Sequence, residues 1–164
     1  MPAIPATHIS DAHKLIADAK IDLYELTPSI GSGTLRFKND SNERWLGNDY
    51  TGLPVKLSGE TFTSQGSAPQ PSLQIGDMGV NLSPFKPLIF NGGMDNARIV
   101  RYRVLLDDLI NNRNIKEVSV YRVKRIESYS VSQITVSLAV FSPSGPSSMP
   151  FRQFVPPDFP FVVL

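Results

Sequence analysis

Between Trp45 and Leu73, glycine and proline punctuate the chain at positions that dictate where strands begin and end. The hexapeptide Trp45-Leu46-Gly47-Asn48-Asp49-Tyr50 carries a hairpin signal, with Gly47 or Asn48 able to take the positive φ of a tight turn. The run Gly66-Ser67-Ala68-Pro69-Gln70-Pro71-Ser72-Leu73 marks the start of another strand, because proline is confined to strand starts, edges and bulges. Neither segment is chemically reactive. Their content is architectural, and it predicts a β-rich chain.

The remaining periodicity agrees. Ile21 to Leu26 alternates and is ended by Pro28, with Thr34 to Lys38 as its hairpin partner, and Asn39-Asp40-Ser41-Asn42 reads as a turn. Leu53 to Thr63 places Val55 and Leu57 on one face, with Gly59 as an expected bulge, and Ser72 to Ile75 forms the next strand. In Arg98 to Leu106, Val100, Tyr102, Val104 and Leu106 share a face while Arg101 and Arg103 take the other. Glu117 to Ser130 carries apolar residues on both faces, and Ile134, Val136, Leu138 and Val140 line one face of Gln133 to Phe141. One helix is expected, Ser10 to Ala19, with Ile9, Ala12, Leu15, Ile16 and Ala19 on its apolar face. Gly76 to Gly93 is expected to be irregular, and loops of that length usually bind something. The fold class is therefore all-β with one short N-terminal helix, an antiparallel β-sandwich or barrel. The expected organisation is an N-terminal arm and helix over 1–19, a β-barrel or sandwich domain over 20–141, and a Ser/Pro/Gly linker with an apolar tail over 142–164.

Composition excludes several function classes. With 164 residues the chain can build one core, and 16 basic against 15 acidic residues leave a net charge of +1. No strong field is available to hold nucleic acid or an anionic membrane, so neither is an expected partner. The absence of cysteine removes disulfides, thiolate nucleophiles, iron–sulfur clusters and cysteine-ligated zinc together. The start Met1-Pro2-Ala3-Ile4-Pro5 lacks a secretory pattern and no stretch reaches the ~20 apolar residues of a membrane helix, so synthesis in a cytoplasm is expected.

No constellation carries catalysis. His8 and His13, at i, i+5, do not share a helical face, and no acid cluster completes a metal site with them, so they read as solvated helix-start residues. Asp107 and Asp108, adjacent on a strand, would point to opposite faces, and they read as a strand-ending turn. Ser32-Gly33 and Ser144-Gly145 lack the context of a nucleophile elbow, and Gly31-Ser32-Gly33 opens no helix that could hold a phosphate. Arg98, Arg101 and Arg103 read as a solvated or inter-subunit strand face, and Trp45 and Tyr102 as core. No enzyme, metal or cofactor is expected.

The C-terminal segment Phe151-Arg152-Gln153-Phe154-Val155-Pro156-Pro157-Asp158-Phe159-Pro160-Phe161-Val162-Val163-Leu164 cannot form a helix or a central strand. Its apolar side chains mark an interface, with Phe151, Phe154, Phe159, Phe161 and Leu164 as the expected partner-binding anchors.

The order Ile21–Leu26, Trp45-x-Gly47-x-x-Tyr50, Gly66-x-x-Pro69-x-Pro71-x-Leu73, Arg101-Tyr102-Arg103 and Pro150-Phe151-Arg152-Gln153 resembles the minor tail protein L family of lambda-like, long-tailed bacteriophages. The resemblance implies a β-barrel of the tail-tube kind in a virion. It also implies a trimeric hub at the tail tip, between the distal tail ring and the central host-recognition protein. Lambda-like members continue past the equivalent of Gln153 into a cysteine-bearing iron–sulfur segment. Here the chain runs to Phe154-Val155-Pro156-Pro157 without a cysteine, so that cluster is not carried over. Two other classes stand beside this reading. A receptor- or carbohydrate-binding β-sandwich would want several exposed aromatics on one concave face, whereas Trp45 is the sole tryptophan, and a cell-wall hydrolase would need an acid pair or metal site that is not found.

Overall fold

The computed structural model describes residues 4–12, 14, 18–60, 70–76, 84–130 and 132–140. Helix α1 (Ala6–Ala12) leads into strands β1 (Lys20–Thr27), β2 (Leu35–Lys38), β3 (Glu43–Trp45), β4 (Asn48–Gly52), β5 (Val55–Ser58) and β6 (Ser72–Gly76). Then come α2 (Phe85–Phe90), β7 (Arg98–Leu105), α3 (Leu106–Ile110), β8 (Glu117–Tyr129) and β9 (Gln133–Val140). The strands form one sheet in the order β3-β4-β2-β1-β7-β8-β9-β6-β5, antiparallel throughout except for the parallel β2–β4 pair.

The all-β fold expected from the alternation is the fold observed. The ladder is open, yet the chain crosses between its two ends at Leu53-Pro54. Leu53 N–H donates to the Lys38 carbonyl at 2.8 Å, and the Pro54 carbonyl accepts from Gly76 N–H at 2.7 Å. Two consecutive residues thus tie β2 to β6, and the curled sheet encloses its core. Gly52, just before this crossing, has no room for a side chain: a Cβ there would lie 2.0 Å from the Asp40 carbonyl oxygen of the neighbouring turn.

Alternation sorts side chains between an inner and an outer face. Tyr24, Leu26, Phe37, Ile99, Tyr121, Val123, Ile134, Val136 and Leu138 are buried inside, with Leu73 and Ile75 from β6. Phe85 of α2 is inserted among them, meeting Phe37 edge-on at 5.6 Å, and Phe37 stacks on Tyr24 at 5.5 Å. Burying a phenylalanine in this way contributes about 1.5–3 kcal/mol. A smaller outer cluster joins Leu23, Trp45, Tyr50, Val104 and Leu109, so β1 and β7 are covered on both faces.

Several expectations are corrected. The helix begins earlier, at Ala6, and residues 13 and 15–17 of the expected span lie outside the described residues. His8 is buried rather than solvated, whereas Ile9 is exposed. Gly59 ends β5 with φ 77° instead of bulging within it, and the register shifts occur in β8, between Val123 and Arg125 and between Ile126 and Ser128. The described part of the Gly76–Gly93 segment holds α2, whose Phe85 has an apolar core to enter. Leu106 leaves the strand face for α3, where it is exposed.

The Trp45–Tyr50 hairpin forms as expected, but its positive-φ residues are Leu46 (48°) and Gly47 (79°), a two-residue turn of the primed type. Leu46 tolerates this because its N–H donates to Asn112 Oδ1 at 2.7 Å, while Trp45 Nε1 donates to the Arg113 carbonyl at 3.2 Å. The hairpin is pinned to the α3–β8 connection.

Candidate functional site

The expected anchors Phe151, Phe154, Phe159, Phe161 and Leu164 lie outside the described residues. What the described residues present is two polar networks, one on each face of the sheet, and an exposed strand edge beside an aromatic pair.

On the inner face, β1 and β7 place Asp22 opposite Arg103 and Tyr24 opposite Arg101, and β8 places Ser119 opposite Arg101. Arg101, buried, donates from Nη1 to Glu60 Oε2 at 2.7 Å and from Nη2 to Ser119 Oγ at 3.3 Å. The Tyr121 hydroxyl donates to Glu60 Oε1, and the Arg101 guanidinium lies 5.8 Å from the Tyr121 ring centroid. Arg103 holds Asp22 bidentately, at 2.8 and 3.1 Å. Burial pushes the Glu60 carboxyl up, but hydrogen bonds from Arg101 and Tyr121 outweigh it and hold the carboxyl below its usual range. Burial, followed by the bond to Glu60, pushes the Tyr121 hydroxyl up to about 12. Both arginines are neutralised within the fold, and Arg98 lies at even parity on the opposite face. The expectation of one basic strand face is therefore wrong: pairing with Asp22 and Glu60 internalises the charge.

On the outer face, Glu25 Oε1 accepts from Arg36 Nε at 2.8 Å and from the Tyr50 hydroxyl at 3.1 Å, and Oε2 accepts from the Tyr102 hydroxyl at 3.3 Å. Lys116 Nζ sits 4.5 Å from the Tyr102 ring centroid and 5.1 Å from that of Trp45. Trp45 is core, as expected, and Tyr102 packs against it half-buried. Each of the three carboxylates of these networks, Asp22, Glu60 and Glu25, has a basic partner, and both networks hold strands together.

Asp107 and Asp108 are not on a strand, so the opposite-face argument does not apply. The helical turn of α3 lets both carboxylates reach Arg113 Nη1, at 2.9 and 3.4 Å. Among the described residues no group of three or more His, Cys, Asp or Glu could hold a metal, and no helix is long and apolar enough to cross a membrane. A shallow cleft of about 200 Å³ at the crossing is lined by Asn39, Gln74, Gln133 and Lys56 among others, without an acid or histidine. An iron–sulfur cluster does not fit this chain, which has no thiolate to bind one.

The exposed apolar side chains include Phe90 (77% exposed) and Ile110 (73%). Phe90, on α2, meets Tyr129 at the end of β8 edge-on at 6.3 Å. Here β8 outruns its neighbour. β7 pairs with β8 as far as Arg122, and Ala97 and Asn96 extend the contact only through Val123. From Lys124 to Tyr129, β9 is the strand partner of β8 on one side, and among the described residues no strand pairs on the other. Period-two reading finds the strand but not its overhang, because an overhang is a relation between strands.

The fold and these networks define a curled β-sheet protein in which Asp22, Glu25, Arg36, Arg101 and Arg103 are paired within the sheet. No family model matches the sequence, and no curated protein does either. Among solved structures, the fold is similar to that of a chain in the virion of a native gene transfer agent particle, with a TM-score of 0.59 and 13% identity. The likeness covers 93% of this chain and 50% of that one, so the protein spans about half the length of that relative. At this identity the likeness concerns the fold.

Proposed function

We propose that the protein is a structural, non-enzymatic component of a phage-like virion, specifically a cofactor-free hub part of the tail tip. In this reading a trimer links the distal tail ring to the central host-recognition protein. The observation that carries the proposal is the fold likeness to a virion chain over nearly the whole length of this one. Two features support it: Arg36, Arg101 and Arg103 of the sheet are held in pairs within the fold, and Phe90, Leu106, Ile110 and Val140 leave apolar surface in water. The apolar tail Phe151–Leu164 then holds neighbouring subunits together.

The test is localisation in particles that carry the protein, by labelled antibody and electron microscopy. Label at one end of the tail is expected, and label on the capsid or none on particles would sink the proposal. Native mass measurement should give a trimer, and deleting Phe151–Leu164 should prevent tip assembly. A glycan array should be blank, because a sugar-binding module is the competing reading.

A further inference from the structure

The edge of β8 from Lys124 to Tyr129, unpaired among the described residues, is a row of backbone donors and acceptors, and such an edge recognises an extended peptide. Pairing parity sets what each side of an added strand would meet. Ile126 and Tyr129 pair with Val136 and Ile134 of the inner face, and Phe90 extends that apolar surface. Ser128 pairs with Thr135 and is exposed with Arg125.

We propose that this edge receives Phe161-Val162-Val163-Leu164 from a second copy of the chain as an added strand. The inference rests on the reading that the tail holds neighbouring subunits, and it names where on the neighbour the tail seats. The segment is proline-free and of high strand propensity, and none of its side chains is charged. The other proline-free run of the tail, Phe151 to Val155, would bring Arg152 against Lys124 and Arg125. With Phe161 and Val163 turned toward Ile126, Tyr129 and Phe90, Val162 lies on the Ser128 side. Val140 ends β9 roughly 20 Å of strand away from Ile134, the residue paired with Tyr129, so the tail starts from the opposite end of β9. The stretch between Val140 and Phe161 extends to roughly 65 Å, enough to reach a neighbour.

The sequence has no cysteine, so introduced thiols are the only ones present. Co-expressed single variants Ser128→Cys and Val162→Cys, mildly oxidised in the assembled protein, should form interchain bridges. Ser128→Cys with Val163→Cys should bridge several-fold less, since adjacent strand residues point to opposite sides. A doubly substituted chain carrying Ser128→Cys and Val162→Cys should give covalent oligomers, whereas a closed monomer would show docking within one chain and overturn the proposal. Equal bridging at positions 162 and 163, or bridging from Arg152→Cys in their place, would overturn it too. An oligomer of unchanged native mass without the Ser128–Val162 bridge refutes this seat and leaves the hub reading standing. Absence of the protein from particles refutes the hub reading whatever the bridge does.

Discussion

Glu60 Oε2 accepts a 2.7 Å hydrogen bond from Arg101 Nη1, joining the residue beyond β5 to the middle of β7 across 41 positions of sequence. Arg101 is the more buried partner, with its side chain 5% exposed against 34% for Glu60. Glu60→Ala should therefore cost about 1–3 kcal/mol, because it leaves a buried guanidinium with the Ser119 hydroxyl and with Asp22, at 3.9 Å, as its nearest carboxylate. Arg101→Met, which removes the buried charge and keeps much of the volume, should cost less, since the remaining carboxylate reaches water. Urea unfolding of both variants checks the order; a costlier Arg101→Met would reject it.

The same cluster sets a pH window. Glu60 is held below its ordinary value, so its contribution is complete above the usual carboxylate range and disappears as pH falls through the lowered value. Tyr121, raised to about 12, contributes fully below its ordinary value of about 10, and that contribution is lost as pH rises toward 12. Tyr24, Tyr50 and Tyr102 are shifted in the same direction, with burial as the largest cause. In a Tyr129→Phe variant, which leaves only these four, tyrosinate absorbance should therefore appear late and together with unfolding. A simple titration near pH 10 with the fold intact would contradict the buried environment.

Local rules account for what the sequence disclosed. Alternation located most of the strands, and Trp45-Leu46-Gly47-Asn48 announced its hairpin, because period and turn chemistry act between near neighbours. Glu60, in contrast, gave no signal, because its partners Arg101 and Tyr121 reach it only through the curl of the sheet. Asp108 misled for a related reason: continuing the β7 period through Leu106 hid a turn of helix that lets Arg113 meet both acids. The β8 overhang was likewise illegible, since β8 is long by its own pattern but outruns its neighbour, among the described residues, only by comparison with the start of β7.

Gly52 should be the least replaceable glycine of the crossing. A Cβ would lie 2.0 Å from Asp40 O and 2.7 Å from the Ser41 carbonyl carbon, both main-chain atoms that cannot rotate away. Gly52→Ala should cost about 3 kcal/mol or more. Gly31→Ala meets nothing within 4 Å and should cost about 1–2 kcal/mol, from its φ of 101° alone. Thermal unfolding of the two variants should separate them clearly, and equal losses would refute the crowding argument.

Asn112 combines two roles that substitution can divide. It holds φ at 52° and accepts the Leu46 N–H at 2.7 Å. Asn112→Ala should lose about 2 kcal/mol, roughly half from the hydrogen bond and half from the backbone. Asn112→Gly relieves the backbone and should recover part of that loss. If glycine proved as costly as alanine, the left-handed conformation would not be contributing.

Helix α2 carries two phenylalanines with opposite expected behaviour. Phe85 is 2% exposed and contacts Phe37, so Phe85→Ala should cost about 3–5 kcal/mol and lower the unfolding midpoint whether or not the protein is assembled. Phe90 is 77% exposed and touches Tyr129, so Phe90→Ser should change the stability of the isolated chain by less than about 0.5 kcal/mol. If the aromatic pair receives a neighbour's side chain, the same substitution should weaken self-association by about tenfold, as expected when one anchor of an interface is removed. Sedimentation across a concentration series measures that shift against unfolding of the same sample. Association unchanged by Phe90→Ser would show that this face is not where copies meet.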